Sequence, residues 1–112
     1  MIPPPPGTAT AAEPDLATID VATVLQALAD PVRLDIVRQL AGCGASGELS
    51  CGQLEVPVTK STASHHLKIL SSAGVIAERE QGTRKFLSLR RADLKRRFPG
   101  LIESVLQAQG PS

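Results

Sequence analysis

Between Val58 and Gly74 the chain carries a run whose spacing admits one regular structure. Ala63, Leu67 and Leu70 recur at i, i+4 and i+7, with Ile69 and Ala73 alongside, so a helix would gather them into one apolar stripe. Lys60, Ser61, Ser64, His65 and Lys68 lie mainly away from that stripe, and no acidic residue stands among them. Thr59 is placed to cap the first turn through its hydroxyl. Gly74 is placed to end the helix in a left-handed conformation.

A helix with a polar, cation-bearing leading end and small side chains suits the DNA major groove. An ordinary amphipathic helix with a solvated face fits the same pattern, so the neighbouring segments decide. After Gly74 the period changes to strand spacing. Val75 to Glu80 and Arg84 to Leu89 read as two strands joined by Gln81-Gly82-Thr83, a glycine-bearing link suited to a hairpin. Arg79, Gln81, Thr83, Arg84 and Lys85 cluster around its tip. A ribbon with a basic tip directly after such a helix is a wing, able to reach phosphate or the minor groove.

Charge supports the same reading by its distribution, since the net value is only +1. From Val58 to Phe98 there are ten Lys or Arg against three acids, whereas residues 1–57 hold two against seven. One basic segment beside an acidic one marks a localised anion-binding face. The chain has no Trp or Tyr and two Phe, so its core is aliphatic and base stacking on aromatics, the usual route to single strands, is disfavoured.

The remaining segments complete one domain of 112 residues. Met1 to Pro14, with four consecutive prolines, reads as a disordered arm or a docking arm for a partner protein. The domain proper is expected over 15–108, with a frayed tail at 109–112. Its first helix spans about Asp15 to Ala29, amphipathic, with Val21, Val24, Leu25 and Leu28 at i, i+3, i+4 and i+7. Asp30-Pro31 caps and starts a second, about Pro31 to Ala41, with Arg33, Asp35 and Arg38 on a solvated face. A glycine-rich link follows, then two helical turns over Glu48 to Glu55, which with the next helix form a helix-turn-helix unit. Arg90 to Phe98 reads as one or two basic turns, and Pro99 to Ala108 as a final helix whose face is Leu101, Ile102, Val105 and Leu106. Terminal helices this apolar call for cover, and a symmetric dimer built on them supplies it.

These residues resemble a known family. Ala27-Leu28-Ala29-Asp30-Pro31-Val32-Arg33-Leu34-Asp35-Ile36-Val37 is similar to the "ALADPTRLxIL" opening of ArsR/SmtB-type transcriptional regulators. Ser61 to Ile76 resembles their "SxVSxHLxxLxxAGLV" helix and strand, and Gln81 to Leu89 looks like their wing. The resemblance covers about Val21 to Leu106 in the right order. It implies a winged helix-turn-helix fold, mainly α with one β-hairpin in the order α-α-α-α-β-β-α. It implies a homodimeric repressor or regulator of transcription, not an enzyme, dimerising through its first and last helices (Val21, Val24, Leu25, Leu101, Ile102, Val105, Leu106). DNA contact would fall to Lys60, Ser61, Thr62, Ser64 and His65, with Lys68 beside them, and to the wing residues Arg79, Gln81, Thr83, Arg84 and Lys85. His65 would be exposed there and His66 packed inside.

Many members of that family sense metals, and here the sequence departs from their pattern. One site uses a Cys-x-Cys pair after Glu-Leu, and those positions are Ser50 and Gly52, with Cys51 between them. Another needs His and carboxylate ligands across the last helices, yet Arg90 to Ser112 has no His and only Asp93 and Glu103 as acids. No metal or other cofactor is expected, since Zn, Ni or Cu needs several N or S donors. Cys51 reads as a small buried side chain and Cys43 as an exposed thiol, with a redox-responsive Cys43–Cys51 pair as an alternative. The signal would otherwise come from an organic ligand or from a second regulatory protein. A winged-helix module that binds protein rather than DNA is the other alternative. Two cysteines, no apolar run of membrane-spanning length and no signal-peptide pattern lead to the expectation of a soluble cytoplasmic protein without membrane contact.

Overall fold

Asp30 begins the best-anchored helix. Its carboxylate accepts from the backbone N–H of Val32 (2.9 Å) and of Arg33 (3.1 Å), and Pro31 follows at a position that needs no donor. Helix α2 therefore runs Pro31–Ala41, as the sequence predicts. The same logic sets its neighbours in this computed structural model, which describes residues 15–43 and 47–108, less the side chains of Leu16 and Ala108. The expected arm, the frayed tail and part of the glycine-rich link lie outside the described residues.

Helix α1 spans Val21–Leu28, capped by Asp20, whose carboxylate accepts from Thr23 N–H at 3.0 Å. It is shorter than the expected Asp15–Ala29, because Leu16–Thr18 forms a separate 3-10 turn before the cap. The helix that organises the sequence is α3, Lys60–Ser72. Thr59 caps it, accepting from Thr62 N–H at 3.3 Å. Its end is a Schellman motif: Gly74 takes φ 86°, Val75 N–H reaches Leu70 O at 3.0 Å, and Gly74 N–H reaches Ser71 O at 3.1 Å. Both ends of α3 agree with the sequence reading.

The Glu48–Glu55 segment does not. Two helical turns are expected there, and the chain instead forms strand β1, Leu49–Ser50, and a 3-10 turn, Cys51–Gln53. Leu49 pairs with Leu87 and Ser50 with Phe86, which satisfies an edge that would otherwise be bare. Gln53 Oε1 then accepts from Ser50 N–H at 2.8 Å, and Gln39 clamps the exit. Its Nε2 donates to Glu55 O at 2.7 Å, and its Oε1 accepts from Glu55 N–H at 3.0 Å. These long-range partners outweigh a helical preference resting on two leucines.

Strands β2, Ile76–Gln81, and β3, Arg84–Leu89, form the expected hairpin in register from Ile76↔Leu89 to Gln81↔Arg84. Gly82, at φ 64°, opens its two-residue turn, the conformation a type II′ turn requires. With β1 the sheet has three antiparallel strands in the order β1-β3-β2. Helix α4, Arg91–Arg97, follows the sheet, and α5, Leu101–Ala108, closes the described chain. Helix α5 starts two residues later than expected, because Gly100 sits at φ 85°, outside helical space.

One aliphatic core joins these elements. Ile36 and Val37 of α2, Leu70 of α3, Val75 of the turn after it, Ile76 and Leu87 of the sheet, and Leu94 of α4 are fully buried. Val24 of α1 and Ile102 of α5 belong to it as well, with 0% and 2% exposure. That corrects their expected place on a dimer surface: both are spent on the chain's own core. Val21 and Leu25, on the same helix as Val24, are 42% and 47% exposed.

Candidate nucleic-acid interface

Helix α3 turns Leu67 and Leu70 into the core, and that choice places the other face outside. Lys60, Ser61, Thr62, Ser64, His65 and Lys68 are all exposed. The Thr59 hydroxyl donates to Thr62 Oγ1 at 3.0 Å and lies 3.5 Å from Ser61 Oγ, so the first turn is pre-ordered. His65 and His66, neighbours in sequence, diverge as adjacent helical residues do: His65 is exposed, and His66 keeps 13% of its side-chain surface.

His66 belongs to a network that the sequence reading missed. Arg33 Nε donates to Ala27 O at 2.6 Å, its Nη2 reaches Gln26 O at 3.5 Å, and its Nη1 lies 3.2 Å from His66 Nδ1. Arg33 is therefore not on a solvated face. It fastens the last turn of α1 and the middle of α3 to the start of α2. Asp30 closes the network, its Oδ2 standing 3.9 Å from His66 Nδ1. The Arg33 backbone N–H, then the Arg33 charge, hold the Asp30 carboxyl below its ordinary pKa, against the opposing effect of desolvation.

The wing is less free than its composition suggests. By strand alternation Arg79, Gln81, Arg84 and Phe86 share one face, and Glu78, Glu80, Lys85 and Leu87 the other. Arg79 is engaged: Nε and Nη2 donate to the two Glu48 carboxylate oxygens at 2.9 and 2.8 Å, and Nη1 donates to Gln81 Oε1 at 2.9 Å. Its guanidinium also lies 4.6 Å from the Phe86 ring centre. This fork lowers the Glu48 pKa and raises that of Arg79. Lys85 pairs with Glu78 at 3.3 Å. Arg84, exposed at the tip beside Thr83, enters no ion pair among the described residues. The same holds for Lys60 and Lys68.

In the basic segment, Arg91 is bound to Glu103 at 2.6 and 2.9 Å, which ties α4 to α5, and Arg97 donates to Ile19 O at 3.3 Å. Much of that charge is architectural. Cys51 is exposed and Cys43 half-buried, the reverse of the expectation, because the 3-10 turn lifts Cys51 off the core while Cys43 Sγ donates to Leu40 O at 2.9 Å. Desolvation of its sulfur, partly offset by Lys85, pushes the Cys51 thiol above its ordinary pKa, which reduces thiolate rather than favouring it. Among the described residues, no three His, Cys, Asp or Glu side chains come together as a metal site would need.

The comparisons with known proteins agree with this geometry. A family profile described as "Helix-turn-helix domain" matches residues 28–79, from the end of α1 through α3 into the wing. An uncharacterized HTH-type transcriptional regulator of Bacillus subtilis, YceK, is 38% identical over 86 residues, which are 75% of this chain and 84% of that protein. The chain belongs to the helix-turn-helix (HTH-type) transcriptional regulators. The crystal structure of a "possible transcriptional regulatory protein" (fragment 1–100) from Mycobacterium bovis is 31% identical. It matches with TM-score 0.61 over 78% of this chain and 90% of that one. The ArsR family regulator RHA00566 shares the fold at 19% identity and TM-score 0.59, covering 82% of this chain and 93% of its own. Among its described residues the regulator thus has a winged helix-turn-helix domain of five α-helices and a three-stranded sheet. No helix among its described residues is long and apolar enough to cross a membrane.

Proposed function

We propose that this regulator binds double-stranded DNA sequence-specifically as a homodimer on an inverted repeat. The observation that carries the reading is the exposed face of α3, where Lys60, His65 and Lys68 stand among hydroxyls with no acid between them. Lys60, Ser64 and His65 approach base edges in the major groove, and Ser61, Thr62 and Lys68 position the helix on the backbone. At the wing Arg84, with Thr83 and Gln81, reaches phosphate or minor groove. Lys85 contributes net charge, and Arg79 holds the ribbon in place rather than touching DNA. Exposed Val21 and Leu25 of α1, with half-buried Leu101, Val105 and Leu106 of α5, supply the apolar surface for a second copy.

Selection from a random duplex pool at near-physiological salt tests the reading. An inverted repeat with half-sites about one helical turn apart is the expected product. Absence of any enriched motif would make protein, rather than DNA, the ligand of the α3 face.

A further inference from the structure

A cavity of about 480 Å³ lies between α2, the connection that precedes α3, and the first two turns of α3. Ile36 and Leu67, both buried, line it together with Leu54, Val56 and Val58. Lys60 supplies the single formal charge among its lining residues, and Ser64 adds a hydroxyl. Volumes of roughly 300–1,000 Å³, apolar walls and a few polar groups are the character of small-molecule sites. The Lys60 ammonium forms no ion pair among the described residues, so it is free to take an anion.

We propose that this cavity binds an amphipathic organic carboxylate, its apolar body against Ile36, Leu54, Val56 and Leu67 and its carboxylate on Lys60, and that occupancy releases DNA. The regulatory half rests on the DNA-binding reading above. Lys60 and Ser64 belong both to the cavity and to the face offered to DNA. A carboxylate on Lys60 removes one cation from that face and places an anion where phosphate would approach. Ligand and DNA then oppose each other by a coupling that is reciprocal in binding free energy.

The test begins without DNA. The full chain is titrated calorimetrically with octanoate, decanoate and 2-naphthoate, each below its micellar range, and with octan-1-ol as the neutral counterpart. Saturable binding of a carboxylate, about tenfold tighter for octanoate than for octanol, is expected, with the difference lost in Lys60→Gln. Amide shifts on binding should centre on Val56, Ala63 and Ser64. Val56→Phe and Leu54→Phe fill the cavity and should weaken binding at least tenfold in protein whose circular dichroism is unchanged. If both variants unfold, the wild-type shift map decides, and shifts centred elsewhere overturn the site. No binding by any of the three carboxylates overturns it as well. A selected duplex then tests the coupling: octanoate should weaken its binding, and unchanged affinity at saturating carboxylate removes the regulatory half alone. Failure to select any duplex would sink the DNA reading and leave the calorimetry to judge the cavity.

Discussion

Arg33 and His66, 33 residues apart in sequence, meet at 3.2 Å through Nη1 and Nδ1. A guanidinium carries only donors, so Nδ1 accepts and the His66 proton resides on Nε2. The contact fixes α3 by its inner face while the outer face stays open. Arg33→Ala removes this bond and the 2.6 Å bond to Ala27 O. It should destabilise the fold by roughly 1.5–3 kcal/mol, in the range of hydrogen bonds to charged groups. Chemical denaturation measures it, and an unchanged midpoint would show that the network carries no stability.

The acid limb of stability should depend on Asp30. Its folded pKa lies below the ordinary value, so the unfolded chain takes up the proton first. The contribution is complete above the unfolded pKa of about 4 and is lost as pH falls through the lower folded value. Glu48 and Glu103, lowered by Arg79 and Arg91, act in the same direction. Asp30→Asn keeps a capping side chain and should flatten the loss below about pH 4, as read from melting temperature against pH.

The cations of the interface should separate into two kinds. Arg84→Ala should weaken binding to all duplexes and reduce the salt slope by about one. Lys60→Ala and His65→Ala should instead relax discrimination between selected and random duplex. Fluorescence anisotropy over a salt series distinguishes them, and equal losses on both duplexes for all three would count against the assigned roles.

Glu48→Gln probes the wing from the other side. It weakens the hold on Arg79 and removes a negative charge beside the ribbon. Affinity for random duplex should rise and the salt slope steepen, whereas Arg79→Ala should change duplex affinity less than Arg84→Ala. The reverse order would place Arg79 on the DNA.

Two residues near each other on α1 and one on α5 separate association from folding. Leu25→Glu or Val21→Glu should yield a folded monomer by sedimentation, because both side chains are exposed on the single chain. Ile102→Ala should cost about 2–5 kcal/mol of stability, since its side chain fills the core. A Leu25→Glu protein that remains dimeric would move the interface away from α1.

The sequence by itself determined the elements whose signals are local. Asp30-Pro31, Thr59 and Gly74 start or stop helices within a single turn, and the Gly82 turn carries its own register to the strands on either side. Periodicity around Leu67 and Leu70 was enough to turn Lys60, Ser64, His65 and Lys68 outward. Tertiary structure decided what depends on partners far along the chain. Leu49–Ser50 became a strand because β3 offered an unpaired edge, and Arg79 became a brace because folding brought Glu48, 31 residues away, against the wing. Apolar character alone marks Val21, Val24 and Leu25 alike, yet only Val24 reaches the core, because the packing angle of α1 selects one line of its face. Caps, turns and periods act through bonds closed within a few residues, whereas ion pairs and burial depend on which distant surfaces the fold presses together.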